Sequence, residues 1–258
     1  MNRTIVVANQ KGGVGKTTTA INLAACLAAR RRKVLLIDMD PQGNTSSGFD
    51  VPKDTVEKNI YDVMLGEAKI EETVIQNVRP RLSLIPSDVN LAACEIQLSD
   101  RDDRNYILKK ELDRIRAGYE FVIMDCPPSL NILTLNAMCA GDTVLVPLQC
   151  EYYALEGLAQ LMQTVRLISE RLNPDLLIEG IVFTMYDSRT KLASQVVENV
   201  EANTDKKIYK ALIPRNVRLA EAPSYGMPII EYDPKSTGAK AYQALAKQVI
   251  RYHYKRKS

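Results

Sequence analysis

The sequence predicts an α/β protein whose mostly parallel, twisted β-sheet is flanked by helices on both faces. Five runs are apolar along their whole length, as strands buried on both faces are: residues 4–9, 34–38, 121–125, 143–147 and 178–185. Two weaker apolar runs lie at residues 82–86 and 208–213. Between them, five segments repeat apolar residues at helical spacing: 17–29, 104–116, 155–171, 192–203 and 237–252. Alternation of such strands and helices is typical of a sheet covered on both sides.

A glycine-rich loop joins the first predicted strand to the first predicted helix, and its residues are Lys11, Gly12, Gly13, Val14, Gly15, Lys16, Thr17 and Thr18. Glycine adopts positive φ and lets the backbone approach a ligand closely, and N–H groups at a helix N-terminus bind phosphate. The loop therefore predicts binding of ATP or GTP, with Lys16 on the β- and γ-phosphates and the Thr17 hydroxyl on Mg²⁺. The alternative is a glycine-rich turn without a ligand.

Three aspartates end predicted strands: Asp38 and Asp40 end the second run, and Asp125 ends the run at 121–125. The carboxyl ends of parallel strands form the ligand-binding edge of such a sheet. Asp125 is therefore predicted to hold the Mg²⁺ shell. Asp38 and Asp40 share a side of their strand, so one or both could face the metal and water, although Asp38 could also merely end its strand.

Length and composition predict a single domain that spans residues 1–258 and carries a short basic C-terminal tail, since 258 residues are few for two well-formed cores. No apolar stretch reaches ~18 residues and no signal-peptide pattern precedes the first strand, which predicts a cytoplasmic protein. The five cysteines are scattered and predict buried thiols. His253, the only histidine, is expected at the surface of the tail, so a histidine base is disfavoured.

Positive charge is concentrated in the last third of the chain. Residues 187–258 contain 14 Lys and Arg against 7 Asp and Glu, whereas the preceding residues contain 20 against 24. This asymmetry favours an anionic partner, either nucleic acid or lipid. The alternative explanation is that the basic residues only cover solvated helix faces. Basic residues spread over loops suit contacts with a phosphate backbone.

Four motifs in order resemble the ParA/Soj family of chromosome- and plasmid-partitioning ATPases, which carry a deviant Walker A loop. They are Lys-Gly-Gly-Val-Gly-Lys-Thr-Thr at 11–18, Val-Leu-Leu-Ile-Asp-Met-Asp-Pro-Gln-Gly-Asn at 34–44, Phe-Val-Ile-Met-Asp-Cys-Pro-Pro-Ser at 121–129 and Pro-Arg-Asn-Val-Arg-Leu-Ala-Glu-Ala-Pro-Ser-Tyr-Gly-Met-Pro at 214–228. The resemblance extends from about residue 3 to about residue 249. It implies a P-loop ATPase fold, ATP or ADP with Mg²⁺, and a nucleoid-associated protein, chromosomal or plasmid-borne.

The resemblance also implies roles for single residues. Asp40 would position the attacking water and contribute to the metal site, and Lys11 would reach the nucleotide of the opposite subunit in an ATP-dependent homodimer. Gly12 would lie where the subunits meet, and a segment after Asp125 would sense the γ-phosphate. The implied adenine contacts are Met185, Pro214, Arg215 and Asn216, and the implied DNA contacts are Arg189 and Arg218. The implied partners are non-specific DNA and a ParB/Spo0J-type centromere-binding protein, with no membrane.

Two other classes share this kind of loop. A membrane-positioning ATPase resembling MinD would insert a C-terminal amphipathic helix into lipid, but the apolar residues of 241–258 include no Trp or Phe, so we expect this helix to pack on the sheet. A reductase resembling the nitrogenase iron protein would need a cluster-ligating cysteine shortly after Asp125. Residues 127–135 contain none, and Cys126 is expected to lie too close to the nucleotide.

Overall fold

The structure is a computed structural model that describes residues 2–52 and 56–255. Seven strands form one sheet in the order β3-β4-β2-β5-β1-β6-β7. All neighbours pair in parallel except β3 and β4, which are antiparallel. The strands are β1 (Arg3–Val7), β2 (Val34–Asp38), β3 (Ile75–Arg79), β4 (Leu82–Ile85), β5 (Phe121–Asp125), β6 (Thr143–Gln149) and β7 (Leu177–Thr184).

Helices connect the parallel strands and cover both faces of the sheet. They are α1 (Lys16–Ala29), α2 (Asn44–Ser47), α3 (Ile60–Leu65), α4 (Cys94–Gln97), α5 (Ile107–Ile115), α6 (Ile132–Ala140), α7 (Ala154–Arg171), α8 (Lys191–Asn203), α9 (Val217–Glu221), α10 (Ile229–Tyr232) and α11 (Thr237–Lys255). The predicted fold class is thus confirmed, and the five predicted helical segments correspond to α1, α5, α7, α8 and α11.

The sheet separates two apolar cores, because successive side chains of a strand point to opposite faces. In β1, Val6 faces the core beneath α3 and α5–α8, whereas Ile5 and Val7 face the core beneath α1 and α11. The apolar face of α11, with Tyr242 and Leu245 almost fully buried, packs in this second core. The expectation that the C-terminal helix packs on the sheet is confirmed.

Two strand expectations were incorrect or incomplete. The weak run at 208–213 is not a strand: isolated bridges pair Ile208 with Ile181 of β7 and, just beyond both segments, Pro214 with Tyr186. The offset between the paired residues differs by one between the two bridges, so the bridges do not belong to one continuous ladder. The edge strand β3 was not predicted, since its sequence lacks a continuous apolar run and its Asn77 adopts a φ of 54°.

Two surface expectations were also incorrect. The segment 43–58 is rich in Gly, Ser, Asn, Thr and Asp, a composition that predicts a surface loop. It begins instead with the short helix α2, whose Thr45 and Ser46 are fully buried; residues 53–55 of this segment lie outside the described residues. His253 is 4% exposed and packs against the ring of Phe121, at 5.1 Å between centroids. The helix continues past the predicted end, to Lys255, so only 256–258 of the expected basic tail lie outside the described residues.

Candidate functional site

The glycine-rich loop follows β1 and leads directly into α1. Gly13 and Gly15 adopt φ of 74° and 87°, a left-handed conformation that residues with a Cβ rarely adopt. Gly12 differs, because its φ is not positive and a Cβ built on it would meet no atom of the chain within 4 Å. Nothing within the chain therefore requires glycine at position 12.

Lys16 lies inside the loop and is 7% exposed. Its Nζ donates a hydrogen bond to the main-chain oxygen of Lys11 at 3.0 Å. Burial lowers the pKa of Lys16, and this effect outweighs the opposing attraction of Asp125 and Asp40. A buried cation at the start of a helix, with two carboxylates near it, is suited to bind a polyphosphate that carries a metal ion.

Lys11 forms an ion pair with Glu151, which follows β6. Both side chains are about half exposed, at 46% and 39%. The main chain of Lys11 is held as well, since its N–H donates to Asn9 Oδ1 at 3.0 Å. In the single chain, the ammonium of Lys11 is therefore paired at the surface.

Asp125 ends β5, is fully buried and receives a hydroxyl hydrogen bond. Thr45 Oγ1 donates to Asp125 Oδ2 at 2.7 Å, and the Thr17 side chain, which lies near this carboxylate, acts to lower its pKa. Burial raises the pKa of Asp125 to about 7, and the nearby carboxylate of Asp38 adds to this rise. Its other oxygen, Oδ1, is buried without a hydrogen-bond partner among the described residues.

Asp38 is fully buried, and its carboxylate holds α2 in place. Asp38 Oδ2 accepts hydrogen bonds from Ser46 N at 3.0 Å and from Ser46 Oγ at 2.8 Å, and Asp38 Oδ1 accepts one from Asp40 N at 3.2 Å. Burial raises the pKa of Asp38. Both carboxylate oxygens of Asp38 thus accept hydrogen bonds within the chain.

Asp40 is fixed through its main chain and side chain. Its main-chain oxygen accepts a hydrogen bond from Ser87 Oγ at 2.6 Å, and its Oδ1 accepts one from Gln42 N at 3.0 Å. Ser87 N in turn donates to Ser46 Oγ at 3.3 Å. Sequence reasoning missed the three supporting hydroxyl residues Thr45, Ser46 and Ser87, because they lie in loops or a four-residue helix without a periodic pattern.

These residues fit a magnesium ion bound together with phosphates. Mg²⁺ usually takes one or two carboxylates, phosphate oxygens and water, and the unpaired Oδ1 of Asp125 beside the hydroxyl of Thr17 offers such ligands. Among the described residues, no group of three or more His, Cys, Asp or Glu side chains could hold a metal by itself.

A cavity of about 190 Å³ opens beside the loop, between the ends of β7 and α9. Thr184 Oγ1 donates to the main-chain oxygen of Val14 at 2.8 Å and so connects the cavity wall to the phosphate loop. Met185, next in the chain, has an unusual φ of 50°. The lining includes all four residues expected around adenine: Met185, Pro214, Arg215 and Asn216.

The two arginines expected to contact DNA lie at the surface and are paired with carboxylates of the same chain. Arg189 is 85% exposed and bonds to both oxygens of Asp187, at 2.9 and 2.6 Å. Arg218 is 56% exposed and bonds to Glu221 at 2.9 Å. Their exposure allows contact with a large partner, but each would exchange an existing ion pair for it.

A mostly parallel sheet with a glycine-rich loop after β1 and two carboxylates at the same edge defines a nucleotide-binding protein with a phosphate-binding P-loop. The family model described as AAA domain matches residues 2–178. The sporulation initiation inhibitor protein Soj of Bacillus subtilis is 51% identical over 96% of this chain and 98% of its own length. The chromosome partitioning protein ParA of Caulobacter vibrioides is 51% identical over 96% and 94%. The chain belongs to the ParA/Soj family of chromosome-partitioning proteins.

The fold also matches solved structures over its whole length. A crystal structure of cobyrinic acid a,c-diamide synthase from Mycobacterium smegmatis, with bound ADP and magnesium, is 35% identical and covers 100% of this chain and 97% of that protein, with a TM-score of 0.87. The P-loop fold predicted from the sequence is thereby confirmed.

Proposed function

We propose that this chain is a Mg²⁺-dependent ATPase of a DNA-partitioning system whose ATP-bound form is a face-to-face dimer that binds DNA non-specifically. Its relatives include proteins named chromosome-partitioning ATPase Soj, and a structural neighbour contains ADP and magnesium. Within the site, Lys16 would bind the β- and γ-phosphates, and Thr17 and Asp125 would hold the metal, which neutralises phosphate charge when bound. Asp40 would orient the attacking water.

The observation that carries the dimer proposal is the exposure of the loop face. Lys11 and Gly12 are exposed beside the buried Lys16, and the neighbouring Tyr152 and Tyr153 are 80% and 65% exposed. Open space at Gly12 within the chain makes a second chain the natural reason for a glycine there. A cation supplied across such an interface would couple hydrolysis to dimerisation, as an arginine finger does.

Release from DNA would follow hydrolysis stimulated by a ParB-type centromere-binding partner, and the ATP-bound dimer would associate with the nucleoid. Arg189 and Arg218 would contribute to the DNA contacts after exchanging their present carboxylate partners for phosphates. Contacts of this kind are independent of sequence and weaken steeply with salt. The same chemistry serves a chromosomal or a plasmid system.

Gel shifts or filter binding with non-specific duplex DNA test this proposal. We expect affinity for DNA to be much higher with ATP than with ADP, and higher still in Asp40→Ala, which would bind ATP without hydrolysing it. Equal affinity with ADP and ATP would contradict a nucleotide-gated DNA-binding dimer. Stimulation of ATP hydrolysis by a purified ParB-type partner tests the release step.

A membrane-positioning role has less support. In the part of the chain that the structure describes, no helix is long and apolar enough to cross a membrane. The apolar side of α11, which would have to enter lipid in a MinD-like role, is occupied by packing on α1. Flotation with anionic liposomes and ATP separates the two roles, since a partitioning ATPase should stay with the unbound protein.

A further inference from the structure

We propose that a second surface for duplex nucleic acid lies at the amino-terminal edge of the sheet, opposite the phosphate loop, and that Arg31, Lys33 and Arg81 form it. We call these three residues the amino-edge surface. The inference goes beyond the proposed function, which assigns DNA contacts to residues near the carboxyl-terminal edge. It predicts binding to phosphate backbones that does not depend on nucleotide.

The sheet brings the three cations together. Lys33 and Arg81 directly precede Val34 and Leu82, which are register partners in the parallel pair of β2 and β4, and Val34 N donates to Arg81 O at 2.9 Å. Neighbouring strands are about 4.8 Å apart, so the two side chains leave the sheet side by side. Arg31 lies two residues earlier, in the turn after α1. All three line one surface cavity of about 580 Å³.

The charges of this surface are not neutralised within the chain. In the described ranges 2–52 and 56–255, none of the three side chains forms an ion pair, and all three residues are exposed. Glu120, the carboxylate that lines the same cavity, is itself paired with Arg32 at 3.1 Å. The amino-edge surface therefore presents positive charge that an anionic partner can use.

This state contrasts with that of the arginines at the other edge. Arg189 and Arg218 are each bound to a carboxylate, so a phosphate must compete with an existing partner. At the amino-edge surface no such exchange is needed. A phosphate there displaces only water and counterions, and release of counterions is what drives non-specific binding to nucleic acid.

The backbone gives an independent reason to consider this surface functional. Arg31 and Arg81 adopt φ of 63° and 68°, a left-handed conformation that glycine or asparagine adopts at lower cost. Both residues occupy turns in front of a strand, where their long side chains pack little and remain exposed. Two strained cations that converge on one cavity indicate a role for the charge itself, because the fold would be better served by smaller residues.

The lining favours a duplex backbone as the occupant. Guanidinium groups match phosphate geometry through their fork of donors. Binding of single strands needs exposed aromatic rings for stacking, and the aromatic residue of this cavity, Tyr119, is partly buried. None of the exposed large apolar side chains found among the described residues lines the cavity, so the surface lacks groups that would enter a lipid bilayer.

Because this surface faces away from the phosphate loop, a second copy covering the loop face would leave it open. The triple variant Arg31→Asn, Lys33→Gln, Arg81→Asn tests the inference, since asparagine fits the left-handed positions. The matched control, Arg101→Asn, Arg166→Gln, Lys206→Gln, removes the same charge from exposed, ion-paired cations elsewhere. Circular dichroism and ADP affinity check that both fold as the wild type does.

Affinity for duplex DNA of arbitrary sequence is measured by fluorescence anisotropy with ADP, over a series of salt concentrations. Three phosphate contacts contribute about −2.7 to the slope of log affinity against log salt, equivalent to about a 40-fold loss between 50 and 200 mM. We expect the triple variant to lose this slope and the control to keep it. Equal slopes in the two variants would overturn the inference, as would recruitment of the wild type to anionic vesicles but not to DNA.

The ratio of DNA affinity with ATP to that with ADP distinguishes this inference from the proposed function. The triple variant should keep the wild-type ratio, since its loss is the same in both nucleotide states. If the wild type had the same DNA affinity with ATP as with ADP, the proposed function would be contradicted. The salt slope measured with ADP would still test the amino-edge surface. Should the triple variant misfold, the single variants Arg31→Asn and Arg81→Asn should each reduce the slope by about 0.9.

Discussion

The ammonium of Lys11 is paired with the carboxylate of Glu151 in its own chain. If Lys11 acts on the nucleotide of a second chain, this pair must break when the dimer forms. The variant Glu151→Gln removes the competing carboxylate and should strengthen the ATP-dependent dimer. Two such pairs break per dimer, one in each chain, and each is half exposed and worth about 0–1 kcal/mol, so the gain in the dimerisation constant should not exceed about 30-fold. Sedimentation at several protein concentrations with ATP measures this change in the dimerisation constant.

The control for this experiment is Lys11→Gln, which removes the cation itself. It should keep the affinity of the single chain for ADP and lose the ATP-dependent dimer. A weaker dimer in Glu151→Gln would show that Glu151 serves the interface directly, and the proposed competition would then be wrong.

Gly12→Val should separate folding from assembly. The structure leaves room for a Cβ at position 12, and its φ is not positive, so the variant should fold and bind nucleotide like the wild type. It should fail to dimerise with ATP, because the added side chain meets the second chain. Gly13→Val provides the contrast, since a φ of 74° at Gly13 strains the loop of the single chain. That variant should lose nucleotide affinity, whereas a normal dimer of Gly12→Val would contradict the assigned interface.

The buried carboxylates should make the metal-free protein less stable at higher pH. The pKa of Asp125 is raised, so the folded chain holds this proton more tightly than the unfolded chain does. Stability therefore falls as pH rises from about 4, the value in an unfolded chain, through the raised value. Asp125→Asn should raise the unfolding free energy at pH 8 by roughly 1–3 kcal/mol and flatten the profile.

Thermal unfolding between pH 5.5 and 8 without Mg²⁺ tests this expectation. Asp175→Asn, which alters an exposed carboxylate, is the control and should leave the profile parallel to that of the wild type. Asp125→Asn should at the same time weaken binding of ADP in the presence of Mg²⁺. An unchanged melting temperature at pH 8 would show that the carboxylate is not destabilising when buried.

Thr45 supports the proposed metal ligand through a hydrogen bond of 2.7 Å to Asp125. Thr45→Val keeps the shape of the side chain and removes the donor, which should raise the Mg²⁺ concentration required for tight ADP binding by about 10-fold, a common effect of losing an outer partner of a metal ligand. Thr45→Ser retains the hydroxyl and should behave like the wild type. Calorimetric titrations of ADP at several Mg²⁺ concentrations measure the difference. An equal Mg²⁺ requirement in both variants would mean that Thr45 only packs against Asp125.

The sequence predicted the parts of the fold that periodicity and glycine spacing determine. The central parallel strands, the long helices and the edge at which Asp40 and Asp125 lie followed from apolar runs that end in charged residues. The cavity lined by Met185 and Asn216 matches an expectation that came from family resemblance, and adenine binding there stays a prediction.

Other features depended on long-range packing that sequence patterns do not encode. The short helix α2 has no apolar periodicity and exists because Asp38 bonds to Ser46. His253 is buried because the last helix continues and brings it against Phe121. Counting charges by region also hid the amino-edge surface. Arg81 is far in sequence from Arg31 and Lys33, and all three lie in a stretch whose balance is negative.

The most direct test of the account is analytical sedimentation of the wild type and Asp40→Ala with ADP and with ATP. The account predicts monomers with ADP in both proteins and a stable ATP-bound dimer of Asp40→Ala. Combining Lys11→Gln with Asp40→Ala in one protein should abolish that dimer. The claim that two chains complete each other's sites would be contradicted if Asp40→Ala stayed monomeric with saturating ATP, or if its dimer persisted after Lys11 was replaced by Gln.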